Sequence, residues 1–261
     1  MKFPKIIAVL AAVFLLSWQN SKLWASPKNQ FETERTRVEF LGPFHQTGLP
    51  AIEFLIVRFK LKTGWHIYWK NPGDSGTRPQ FKFNSSAVGK FKWPIPDRIP
   101  FGPLMNFGYE NEVLFSFPLD RKNLDTSSVI SELKWLVCKE KCIPEKATLS
   151  LNLPRNSRSK ESLLVQKALA ALPKEMPKKI RHSVADGNIF FQWDLNQKSP
   201  IFQNSKITKI EFYPFDELLI NNAAPQSWSI EKQARGTSVV QLNVSLSDAT
   251  CLFFNAPRLR G

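Results

Sequence analysis

The sequence predicts an all-β protein: a β-sandwich, then a linker helix, then a second, smaller β domain. Three observations carry this reading. Short segments in which apolar and polar residues alternate recur along the chain, separated by Pro- and Gly-rich turn signals. The 261 residues include 21 Phe and 8 Trp, types that favour strands and large buried contacts. One stretch has a clear helical period, and prolines bound it on both sides. Hydrophobic residues make up 43% and charged residues 22%, a globular balance that excludes a disordered chain.

Residues 1–25 read as a secretory signal peptide. Lys2 and Lys5 precede an apolar run from Ile6 to Leu16, and Ala25 is the candidate cleavage point. The run is short of the ~18–20 residues that span a bilayer, which favours cleavage over an anchor. The mature chain is therefore expected to be exported, and its cysteines to sit where disulfides can form. The formal charge is +14, but the Lys and Arg residues are scattered, so no nucleic-acid partner is expected.

Strand patterns follow at Arg35–Leu41, Ala51–Leu61 and Gly64–Trp69, the last running into the dense turn signal Asn71-Pro-Gly-Asp-Ser-Gly76. Others lie at Pro79–Asn84, Glu112–Leu119, Val129–Cys138 and Ala147–Leu153. About seven short strands predict a sandwich over residues 26–153. Residues 154–177 form the linker, with a helix over Ser159–Leu172 and Ser157 or Ser159 as N-cap. Gly187–Leu195, Lys206–Phe215, Ser227–Lys232 and Ser238–Leu246 then predict the second β domain, over residues 178–261, which is small for a full sandwich.

The sharpest chemical feature is Trp135-Leu-Val-Cys138-Lys-Glu-Lys-Cys142-Ile-Pro144. In an exported protein such a pair is a structural bridge, a metal clip or a redox pair. Helical spacing leaves Cβ atoms ~5–6 Å apart, too far for a disulfide, whereas a strand, a three-residue loop and a returning strand bring them together. The loop Lys-Glu-Lys offers no Gly for a left-handed position. Closing so small a loop stabilises by only ~2 kcal/mol on the chain-entropy estimate, which suits a bond that is made and broken. Lys139 and Lys141 favour thiolate if either ammonium approaches a sulfur. Spacing alone leaves the structural bridge open.

Gly64-Trp-His-Ile-Tyr-Trp-Lys-Asn-Pro-Gly-Asp-Ser-Gly76, Asn106-Phe-Gly-Tyr-Glu-Asn-Glu-Val113 and Trp135–Glu145 together resemble the amino-terminal periplasmic domain of DsbD-type disulfide reductases, within them the ScsB subgroup (suppressor of copper sensitivity protein B). The second half, including Ala223-Ala-Pro-Gln226, resembles the less characteristic second β domain of that subgroup. The resemblance implies an immunoglobulin-like sandwich with Cys138 and Cys142 as its redox-active pair. It implies that Cys142 forms the mixed disulfide with partners and Cys138 resolves it. It also implies a cap loop over the pair at about Phe101–Tyr109, with Met105, Phe107 and Tyr109 in it and Phe107 as the shielding aromatic. Partners would be thioredoxin-like periplasmic proteins or a membrane electron-transfer domain in trans, since the membrane and thioredoxin-like domains usual in the family do not follow here. No cofactor and no resident metal are expected, because exchange needs only thiolates and a mixed disulfide.

Weaker candidates are read as structural. His66 is a base or copper ligand if it lies near the pair, but more simply a packed strand histidine. Met105 with two thiols would suit Cu(I), though gap filling is the plainer account. Asp74 and Ser75 read as turn chemistry, and Glu110 and Glu112 as exposed hairpin carboxylates. Cys251 is an unassigned odd cysteine. The leading function is thiol–disulfide exchange. The alternatives are a binding module with a structural disulfide and a periplasmic copper-tolerance protein.

Overall fold

The computed structural model describes residues 28–45, 52–153, 160–174, 180–196, 207–233 and 237–250. The expected signal peptide, Ser157, Ser159 and Cys251 lie outside them. Two sheets form the first sandwich. One carries β1 (Gln30–Glu32), β2 (Thr36–His45), β3 (Glu53–Leu61) and β8 (Glu112–Leu119) in that order, with the short β11 (Lys160–Glu161) paired to β2. The facing sheet runs β10 (Cys142–Asn152), β9 (Ser128–Cys138), β4 (His66–Gly73), β7 (Leu104–Glu110) and β6 (Asp97–Phe101), with β5 (Gln80–Phe83) paired to β9. The predicted all-β, immunoglobulin-like class holds.

Alternation decides which side chains meet between the sheets. Val38, Phe40, Val57, Phe59, Ile67, Trp69, Phe115, Phe117, Trp135 and Val137 share one buried cluster. Its centre is aromatic: Phe81 packs on Phe115 at 5.0 Å and Phe59 meets Trp135 edge-on at 5.3 Å. Such contacts fix both sheets against each other, so the ends of β4, β9 and β10 are rigidly placed.

Several boundaries differ from expectation. β10 begins at Cys142 rather than Ala147. Alternation picks out only its second half, whereas the strand returning from the Lys-Glu-Lys loop starts at Cys142 and includes Pro144, which an edge strand tolerates because one side of its ladder is unpaired. The helix α1 (Leu163–Ala170) is shorter than predicted and is capped by Ser162, whose hydroxyl accepts from Leu164 N. It is no free linker. Its buried Val165 and Ala168 pack on Phe54, Ile56 and Leu114, the outer face of the first sheet.

The expected cap loop is a β-hairpin. Residues 101–109 are the end of β6, a turn at Gly102-Pro103, and β7. Gly102, Pro103 and Gly108 suggested a loop, but Met105, Phe107 and Tyr109 alternate and all turn inward. Phe107 is fully buried and Tyr109 nearly so, both within the core, with Met105 packed against it.

A second sheet system follows, in the order β12 (Ile180–Ala185), β13 (Asn188–Asn196), β15 (Thr237–Ser245), β14 (Ser227–Lys232). Trp193, Leu195, Ile220, Val240, Leu242 and Val244 form its core. The strand expected at Lys206–Phe215 is absent from residues 207–215, which run as an irregular segment. Its aromatic residues serve contacts with the first sandwich instead: Tyr213 packs edge-on against Phe107 and Trp69, and Phe215 against Trp69. The Gln226 side chain stands in for a ladder partner, accepting from Phe212 N and donating to Phe212 O.

Candidate functional site

Cys138 ends β9 and Cys142 opens β10, and the two are the first pair of that antiparallel ladder. Their Cα atoms are 4.1 Å apart and their sulfurs are joined. The hairpin loop Lys139-Glu140-Lys141 closes with a Lys139 N to Lys141 O bond of 3.2 Å and needs no left-handed residue. The strand–loop–strand geometry expected from the spacing is therefore present. The partners differ in access: Cys138 is fully buried, whereas Cys142 is exposed. An attacking thiolate from outside thus meets Cys142 first. Lys139 does not lean on the sulfurs in any contact described; its side chain runs over Gly64.

Period-2 alternation along β4 brings a further residue to the pair. Ile67 and Trp69 point into the core, so His66 and Tyr68 point to the outer face, where His66 sits opposite Cys138. The Tyr68 hydroxyl donates to Cys138 Sγ at 2.9 Å and lies 3.6 Å from Cys142 Sγ. Tyr68 is fully buried. Burial pushes its phenol above the usual value, partly offset by a hydrogen bond with Ser75, so it stays a proton donor at neutral pH. Tyr68 is a site residue that no motif in the sequence singles out. The available signal was its two-residue offset from His66, which puts both on one face.

Tyr68 is covered by the turn that follows β4. Gly76 lies on the ring so closely that a Cβ there would sit 2.1 Å from it, and its φ of +99° also excludes ordinary side chains. The turn is held from three sides. Asn106 Oδ1 accepts from Ser75 N at 3.2 Å and Ser75 Oγ at 2.9 Å. Asp74 accepts from Met105 N at 2.8 Å and from Asn222 Nδ2, in the second unit, at 2.7 Å. Asp74 and Ser75 are thus turn residues, as expected, and the turn itself is the cover.

The remaining candidates fall into place around this geometry. Burial lowers the pKa of His66 below its usual value and keeps the ring neutral, edge-on to Tyr68 at 5.2 Å. Glu110 is exposed opposite His66, one strand further from the cysteines. Glu112 is not near the pair. It lies on the other sheet, where burial alone would raise its carboxyl but hydrogen bonds from Lys167 and Arg58 bring it below the usual value. Met105 turns to the core, and among the described residues no group of three His, Cys, Asp or Glu side chains is arranged to hold a metal. Beneath the hairpin, Glu145 accepts from Trp135 Nε1 at 3.1 Å, Arg35 Nε at 2.9 Å and Thr33 Oγ1 at 3.0 Å, which ties β10 to the first sheet.

Residues 51–154 match the family model described as thiol:disulfide interchange protein DsbD, N-terminal. The resemblance to DsbD amino-terminal domains holds. All three blocks that suggested it, and both cysteines, lie in the matched segment. The fold is similar to the N-terminal periplasmic domain of ScsB from Proteus mirabilis, at 16% identity and a TM-score of 0.55, over 86% of this chain and 87% of that one. The DsbD n-terminal domain of Neisseria meningitidis, in the reduced form, aligns at 18% identity and a TM-score of 0.31, over 44% of this chain and 83% of that one. No curated protein matches the chain.

Proposed function

We propose that this chain is a periplasmic thiol–disulfide exchange module working through Cys138 and Cys142. The observation that carries the reading is the asymmetry of the pair, one sulfur exposed and the other buried under a tyrosine hydroxyl. In the reduced form the Cys142 thiolate attacks a partner's disulfide, forming a mixed disulfide and releasing one partner thiolate. The Cys138 thiolate then attacks Cys142 Sγ, which restores the intramolecular bond and releases the second partner thiolate. The same steps in reverse recharge the pair from a reduced thioredoxin-like protein or a membrane electron donor. Tyr68 acts whenever Cys138 is free of Cys142, because its O–H at 2.9 Å is placed to stabilise negative charge on that sulfur.

Trapping tests the reading. The Cys138→Ala chain leaves Cys142 without a resolving thiol and is expected to accumulate a mixed disulfide with a thioredoxin-like protein whose single active cysteine is first capped by an aromatic thiol through a disulfide; Cys142 attacks the protein sulfur and the aromatic thiolate leaves. The Cys142→Ala chain is expected to trap far less, because Cys138 is buried. Absence of any adduct from both variants would rule out the carrier role.

A further inference from the structure

The outer face of the β9–β10 hairpin continues past the disulfide in a regular order. Behind the Cys138–Cys142 pair come Leu136 opposite Pro144, and then Lys134 opposite Lys146. These same-face pairs follow at ~7 Å steps, twice the rise per residue of a strand. Together with Thr77, Arg78, Gln80, Trp135 and Glu145 they line an open groove of about 480 Å³, in which the buried Glu145 carboxylate is already taken by Arg35, Trp135 and Thr33. Its near end is apolar and its far end basic. Among the described residues, Arg78, Lys134 and Lys146 are in no ion pair, in contrast to Lys82 on the neighbouring strand, which pairs with Glu132. Three exposed cations outside any described ion pair, with the one lining carboxylate, Glu145, paired to Arg35, stand beside a patch of Leu and Pro next to the reactive sulfur and are complementary to one kind of partner segment.

We propose that this groove docks the partner's polypeptide beside its reactive cysteine, and that it selects segments with an apolar residue about two places and carboxylates about four places from that cysteine. The proposal rests on the exchange function above and names the partner class for that site. The partner cysteine sits over Cys142, its apolar neighbour covers Leu136 and Pro144, and its acidic residues reach Lys134, Lys146 and Arg78. The groove contributes encounter and register, while bond exchange stays with the sulfurs.

The test uses the full reduced chain and synthetic peptides. Each has one central cysteine joined by a disulfide to a chromogenic aromatic thiol, Leu at two places and either Glu or Lys at four places on both sides. Cys142 thiolate attacks the peptide disulfide, and when Cys138 closes the ring both the peptide thiol and the aromatic thiol have been released; the latter is read by absorbance. The Glu peptide is expected to react about tenfold faster than the Lys peptide at low salt, with the ratio shrinking as salt is added. The double variant K134E/K146E should abolish the preference while reacting normally with a small neutral disulfide. Lys232→Glu, on β14 of the second unit, should leave the preference intact. Equal rates for the two peptides, or a preference that survives K134E/K146E, would overturn the groove while leaving the exchange function standing. Failure of the wild-type chain to react with any peptide or with the small disulfide would overturn both.

Discussion

Two hairpins flank the core of the same sheet and put their side chains to opposite use. The β9–β10 hairpin leaves Cys142 exposed at its start and hides Cys138. The β6–β7 hairpin turns Phe107 and Tyr109 wholly inward and is closed over by Tyr213 from the second unit. The difference shows where mobility is affordable. A reactive sulfur needs one open approach, whereas the surface that positions it must be held. Here the holding falls to the β6–β7 hairpin, through Asn106 and the Met105 amide, and the direct cover on Tyr68 is the Asp74–Gly76 turn.

The largest expected effect sharpens this contrast. Phe107→Ala removes a fully buried ring from the core and should cost ~3–5 kcal/mol of stability. Urea unfolding measures the loss, and reaction with a small thiol reagent under native conditions measures access to the pair. Unchanged stability with faster thiol chemistry would instead make the hairpin a lid and erase the distinction between the two hairpins.

A smaller effect belongs to the sulfur side. Tyr68→Phe keeps the ring under Gly76 and removes only the hydroxyl at Cys138. The loss of about 1 kcal/mol expected for one hydrogen bond predicts resolution of a mixed disulfide about fivefold slower, with little change in unfolding. Stopped-flow measurement of resolution checks this. An unchanged rate would leave Tyr68 as packing alone.

The smallest effect is a pH dependence. His66 is buried with its pKa lowered from 6.5, so the unfolded chain takes up the proton first as pH falls. Its contribution to stability is therefore present above pH 6.5 and is lost as the pH drops through the folded value. His66→Gln should flatten the stability curve in that window, as read by denaturation midpoints. A curve of unchanged slope would show that the ring's burial costs nothing on protonation.

Most of the architecture was legible because alternation is a local signal. β3, β5, β8, β9, β13, β14 and β15 lie within a few residues of the segments read from period-2 patterns. The misses share a cause. Gly102, Pro103 and Gly108 hid a hairpin, since these residues mark turns more often than strands, and the alternation of β10 is legible only over its second half. At Lys206–Phe215 the aromatic alternation was real, but tertiary contact with Trp69 and Phe107 took the place of a ladder. The cysteine pair was legible from its spacing. Its cover was not, because the contact of Tyr68 with Cys138 spans 70 residues and the Asp74–Asn222 bond spans 148.

The central claim is that the Cys138–Cys142 bond is an exchange pair and not a staple, and its reduction potential tests that most directly. The full chain, equilibrated with thiol buffers of graded potential, reports the fraction reduced through alkylation of both cysteines. The exposure of Cys142 and the hydroxyl at Cys138 predict a midpoint above about −300 mV, within reach of thioredoxin-like partners. A midpoint well below that value would contradict the account and make the bond structural.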